Sequence, residues 1–142
     1  MMKTAFLFTL VAILTACQGN GNDPNRSYIL VIPVEAYTSK GTGAVVEKIE
    51  SDTVAVPSAL AAYSKGVQKY AAVLMHVAQF PDSIKEVKGL RILDDKETDV
   101  LPTVPQHQRD SIIMHFIQFA RSSDIPYYER VKDFELKLMK AR

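Results

Sequence analysis

Two short stretches of the chain hold the residue types best suited to chemistry. Leu74-Met75-His76-Val77-Ala78-Gln79-Phe80 and Ile113-Met114-His115-Phe116-Ile117-Gln118-Phe119 share the pattern Met-His-x-x-Gln-Phe. On a helix, a His and the residues three and four places on share one face, so His, Gln and Phe cluster twice. Thioether and imidazole ligands suit Cu(I), so two packed helices pooling Met75, His76, Met114 and His115 would offer a soft-metal site. Against this, adjacent Met and His point about 100° apart around a helix, so one site cannot easily use both from each copy. Met is also a frequent filler of helical cores. The reading adopted is that the chain binds no metal, with these four residues as the alternative.

Other polar clusters offer less. Asp94, Asp95, Glu97 and Asp99 lie close together but lack the Gly that lets a calcium loop turn tightly, and they read as a solvated acidic loop. Gly41-Thr42-Gly43 is a turn without the Lys of a phosphate cradle. No metalloprotease pair, nucleophile elbow or Cys–His pair occurs, so no catalytic residue, no cofactor and no enzymatic activity are expected. With 17 basic and 16 acidic side chains among 142 residues, the net charge of +1 offers no field to gather nucleic acid. The single cysteine, Cys17, excludes an intrachain disulfide.

That cysteine sits in an informative place. Met1-Met2-Lys3 is followed by Ala5 to Leu14 (AFLFTLVAIL), in which only Thr9 is polar. Ten residues are too few to span a bilayer, which takes roughly 20, but they match the apolar core of a secretory signal. The next residues, Leu14-Thr15-Ala16-Cys17, resemble the lipobox of bacterial lipoproteins: Leu, a small or polar residue, Ala or Gly, then Cys. The resemblance implies cleavage between Ala16 and Cys17, a diacylglyceryl group on the Cys17 thiol, and acylation of the new amino terminus. It covers about the first 18 residues and is silent on the remainder. It places the protein in the bacterial cell envelope, held to a membrane through Cys17, and in the outer membrane where the host has two. Each buried methylene contributes about 0.8 kcal/mol, so two or three acyl chains on one residue hold durably.

Three parts follow: a signal over 1–16, a lipidated Cys with a flexible tether over 17–27, and one globular domain over 28–142. The tether, Gln18 to Ser27 (QGNGNDPNRS), has no apolar residue to bury. Tyr28 to Tyr37 is rich in β-branched and aromatic residues and predicts a strand covered on both faces, with Pro33 at an edge or a bulge. Ala44 to Glu50 and Thr53 to Val56 predict two further strands joined at Ser51-Asp52. Ser58 is a candidate N-cap for a helix whose apolar positions Leu60, Tyr63, Val67, Tyr70, Leu74 and Val77 step by three and four until Pro81 stops it. Residues 82–93 fit either a short helix or, at Leu90 to Leu93, a strand. A second apolar face follows over Gln106 to Ser122, on Ile112, Ile113, Phe116, Ile117 and Ala120. Ser123-Asp124 opens a last helix on Tyr127, Val131, Phe134 and Leu138. The fold class is α+β: a small antiparallel sheet at about 28–56 followed by three or four helices, with an all-helical domain as the alternative.

The function expected from this plan is contact. A neutral domain held at a membrane by a permanent anchor suits a non-catalytic envelope lipoprotein that meets a protein partner. Tyr127 and Tyr128 are the contact candidates, because two adjacent positions on a helix cannot both face its core.

Overall fold

The computed structural model describes residues 26–39, 43–123 and 133–142. Two long strands open it, β1 (Ser27–Tyr37) and β2 (Val45–Ala55). They pair antiparallel along their whole length, from Ser27 opposite Ala55 to Tyr37 opposite Val45. Helix α1 (Ala59–Gln79) follows, capped by the Ser58 hydroxyl, whose oxygen accepts from the Ala61 N–H at 3.2 Å. Two short strands come next, β3 (Ile84–Val87) and β4 (Arg91–Leu93), both antiparallel to β1. A single 3-10 turn (Leu101–Thr103), helix α2 (Gln106–Ser122), helix α3 (Phe134–Leu138) and a closing 3-10 turn (Met139–Ala141) complete the order.

The α+β class holds, and the all-helical alternative does not, because the four strands form one antiparallel sheet. The sheet is not confined to 28–56. Residues 84–93 add β3 and β4 to the edge of β1 opposite β2, so β1 is its central strand. Nor do Ser51 and Asp52 interrupt the second strand; they pair with Val31 and Leu30 inside an unbroken β2. Eleven consecutive pairings with β1 override the turn preference of two residues.

Pro33 therefore lies in the middle of a sheet, where a missing N–H would ordinarily break the ladder. The break is built in. β4 pairs with Ile29 to Val31 and β3 with Val34 to Ala36, leaving a gap at Pro33. The Pro33 carbonyl faces that gap and accepts from the Lys88 N–H at 2.9 Å. Carbonyl and N–H of one strand residue point the same way, so the donor that proline lacks lies on the side of Lys88, where the β3 pairing ends, and the β1–β2 ladder is untouched.

One face of β1 is closed. Tyr28, Leu30, Ile32, Val34 and Ala36 are buried against α1, while Ile29, Pro33, Glu35 and Tyr37 on the opposite face are only half-buried, with Val31 alone covered there. The expectation of cover on both faces is thus corrected to one. On α1, Tyr63, Val67, Tyr70 and Leu74 are buried, as their spacing predicts. Ile113, Ile117, Phe134 and Leu138 close the core from the other side, with Ile92 beneath. Each such side chain contributes about 1.5–3 kcal/mol relative to exposure. Ser27 already belongs to β1, and the Arg26 carbonyl accepts from the Val56 N–H at 3.0 Å.

Candidate functional site

The apolar arc on α2 is wider than the core needs. Ile113, Ile117 and Ala120 turn inward, while Ile112 and Phe116 are half-buried and Phe119 is 56% exposed. Positions 112, 116 and 119 share a face at helical spacing, so they form a second apolar ridge beside the buried one. Across from it, α1 presents Ser64, Val67 and Gln68. Between the two helices lies an open groove of about 640 Å³, with Val67, Ile112, Phe116 and Phe119 as its apolar lining and Ser64, Gln68, Ser111 and His115 as its polar groups. The Phe116 and Phe119 rings are 6.4 Å apart and tilted by 55°, within the range over which aromatic pairs attract. A few polar groups around an apolar lining, on two packed helices, are the ingredients of a binding groove.

Beside this groove the sequence neighbours of its serines form a polar corner. Gln106 Nε2 donates to Asp110 Oδ1 at 2.9 Å, Arg109 Nη2 donates to Gln106 Oε1 at 2.7 Å, and Arg142 Nη1 lies 3.4 Å from Asp110 Oδ1. Tyr63 is fully buried near this corner, and its Oη has no hydrogen-bond partner among the described residues. Burial pushes its phenol far above the ordinary tyrosine value, against a smaller opposing pull from Arg109.

A second, smaller groove of about 420 Å³ lies between α1 and the core-side face of β2. Lys48, Glu50, Lys69 and His76 stand around it, and Val34, Ala36 and Val73 line it. It exists because α1 packs over β1, leaving the side chains of β2 exposed apart from a half-buried Val54.

The sequence-derived candidates are distributed as follows. His76 lines the smaller groove and His115 the larger one, so the two histidines face different spaces. Met75 packs against the core, whereas Met114 is 45% exposed. His76 stacks near Phe80, with ring centroids 4.9 Å apart. The Met-His-x-x-Gln-Phe likeness thus does not bring its two copies to one place. Among the described residues no group of three or more His, Cys, Asp and Glu could hold a metal ion, and no helix is long and apolar enough to cross a membrane. Cys17, Tyr127 and Tyr128 lie outside the described residues.

Asp94 corrects the expectation of a uniformly solvated acidic loop. It is buried, and its Oδ1 accepts from the Lys96 and Thr98 N–H groups, each at 2.9 Å. The Thr98 N–H, ahead of that of Lys96, holds its carboxyl below the usual aspartate range. Asp99 similarly ties the Leu101 N–H at 3.1 Å and the Arg91 side chain at 3.2 Å. Two of the four acids therefore fix the turn after β4, and only Asp95 and Glu97 are wholly exposed. Phe119 is the functional candidate that sequence reasoning passed over. Its signal was the third position of the 112, 116, 119 ridge. No family model, curated protein or solved structure matches the chain.

Proposed function

We propose that this chain is a non-catalytic lipoprotein of the bacterial envelope, held to a membrane through Cys17, whose domain receives an apolar segment of a partner protein. The observation that supports contact is the groove between α1 and α2, where Phe119 remains 56% exposed beside Ile112 and Phe116. A large aromatic side chain costs solvation while uncovered and contributes affinity once covered, which is the character of an interface anchor. Two helices flanking an apolar trough suit an amphipathic segment laid along it. The lipobox-like Leu14-Thr15-Ala16-Cys17 supports the anchor. An anchored domain meets membrane neighbours at raised effective concentration, so modest affinity suffices.

The test is mild crosslinking in the native host, comparing the natural chain with Phe119→Asp. A partner that is recovered with the natural chain and lost with the variant supports the proposal. Monomer alone in both, together with a Cu(I)-dependent rise in melting temperature that His76→Ala or His115→Ala abolishes, replaces it with the soft-metal reading. The anchor is checked separately by intact mass of the membrane fraction. Loss of residues 1–16 with added acyl chains is expected, and an unmodified soluble product contradicts it.

A further inference from the structure

Among the described residues, the outer edge of β2 is a long row of unpaired backbone. β2 pairs with β1 on one side and has no partner strand on the other among the described residues. It runs for 11 residues without a proline, and its pairing with β1 shows no bulge. Such an edge is a template for another strand unless something blunts it.

Which backbone groups it offers follows from the pairing. The Thr38 N–H donates to the Ala44 carbonyl at 2.9 Å and the Val56 N–H to the Arg26 carbonyl at 3.0 Å. Both contacts join even-numbered residues of the same antiparallel register. Hydrogen-bonded and non-hydrogen-bonded pairs alternate, so even residues of β2 point their backbone groups at β1 and odd residues point theirs outward. The Glu47, Ile49 and Ser51 N–H and C=O groups therefore face the free edge. Thr53 agrees in direction but is occupied, because its N–H donates to Asp52 Oδ1 at 2.9 Å.

We infer that this edge pairs with the same edge of a second copy of the chain, antiparallel, with Ile49 opposite Ile49 at the two-fold axis. In that register Glu47 faces Ser51 of the other copy, and all three are residues with outward backbone groups. Lys48 of each copy faces Glu50 of the other, giving two opposite-charge pairs. Neither Lys48 nor Glu50 forms an ion pair with another described residue, so both are available. Ile49, 67% exposed in one copy, gains an apolar neighbour. Sliding by one residue per strand would set Glu50 against Glu50 in one direction and Lys48 against Lys48 in the other. Like charges directly opposed destabilise a pair, so charge selects the register. Space allows it as well. With α1 seated over β1, the two copies of α1 would stand three strand spacings apart, about 14 Å, more than the 8–10 Å of packed helices. The result is one continuous sheet across the two copies.

The full chain in detergent, followed by sedimentation velocity over a range of concentrations, tests this. The natural chain should form dimers. Lys48→Glu and Glu50→Lys should each weaken dimerisation roughly tenfold by setting like charges opposite one another twice. An equimolar mixture of the two variants should recover dimers, since each Glu then meets a Lys; micelle sharing alone cannot do that. Ile49→Cys should also yield a disulfide-linked dimer under mild oxidation, because Cα atoms of a hydrogen-bonded pair lie about 5.5 Å apart. Glu50→Cys should do so far less, and the natural chain serves as the control. Monomers at every concentration would overturn the inference. So would charge variants that behave alike alone and mixed, or Glu50→Cys linking faster than Ile49→Cys. None of these results bears on the α1–α2 groove, whose test is separate.

Discussion

A Cβ placed on Gly66 would stand 2.8 Å from Leu90 Cδ2, so α1 and the chain between β3 and β4 meet at a contact where any added side chain must displace Leu90. β3 and β4 separate beside Pro33, and the link between them turns through Gly89 at a φ of 155°. That turn delivers Leu90 onto the helix, where it is buried. Gly66→Val should cost about 1–3 kcal/mol through overpacking. Leu90→Ala alone should cost about 2–5 kcal/mol as a cavity. The double variant should lose less than the sum, by about 0.5–3 kcal/mol, in chemical denaturation. Strict additivity would mean the two residues do not bear on each other.

The tyrosines of α1 should respond in opposite directions to loss of their hydroxyls. Tyr70 Oη donates to the Val87 carbonyl at 3.4 Å, so Tyr70→Phe should destabilise by about 1 kcal/mol. Tyr63 Oη has no partner among the described residues, so Tyr63→Phe should leave stability unchanged or raise it by up to about 1 kcal/mol. Thermal unfolding of the two variants checks the contrast.

Both tyrosines also forecast alkaline sensitivity. Burial pushes the Tyr70 phenol up to about 12, helped by Glu86, and the Tyr63 phenol higher still. Groups whose folded values are raised contribute stability that is intact below the unfolded value, about 10. That contribution falls as pH rises through the folded one. Melting temperature should therefore drop from about pH 10 upward, and each Tyr→Phe variant should show a smaller drop.

On the opposite face of the sheet, Glu35 and Glu47 stand directly across from each other in the β1–β2 register. Lys88 resolves the repulsion, with Nζ 2.9 Å from Glu35 Oε1 and 2.8 Å from Glu47 Oε1. Its hydrogen bond holds the Glu35 carboxyl below the ordinary glutamate value. A lowered carboxylate contributes stability above its unfolded value and loses it as pH falls through the folded one. Lys88→Gln should lower the melting temperature at neutral pH, and the difference from the natural chain should shrink below about pH 4. An equal difference at both pH values would contradict this role.

The long helices were legible because their apolar residues repeat at helical spacing and Ser58 caps α1 as its position suggests. The α+β class was legible from the β-branched run over β1. Less visible was everything decided by tertiary pairing. Ser51-Asp52 reads as a turn in isolation and as strand only once β1 lies alongside. β3 and β4 are four and three residues long, too short for a period to declare itself. The groove was half-visible: the wide apolar arc of α2 was evident, but periodicity cannot tell which part of an arc the core covers. Asp94 shows the same limit for polar residues, since its burial depends on the turn that its own carboxylate closes.

The proposal of a contact protein is tested most directly by a photocrosslinking amino acid placed at position 119 in living cells, compared with one at the exposed Lys96. Position 119 lies in the α1–α2 groove and position 96 on the turn after β4. The proposal predicts a discrete heavier product from 119 that is absent from 96 and that Ile112→Asp diminishes. Monomer alone from 119, or the same products from both positions, would contradict it.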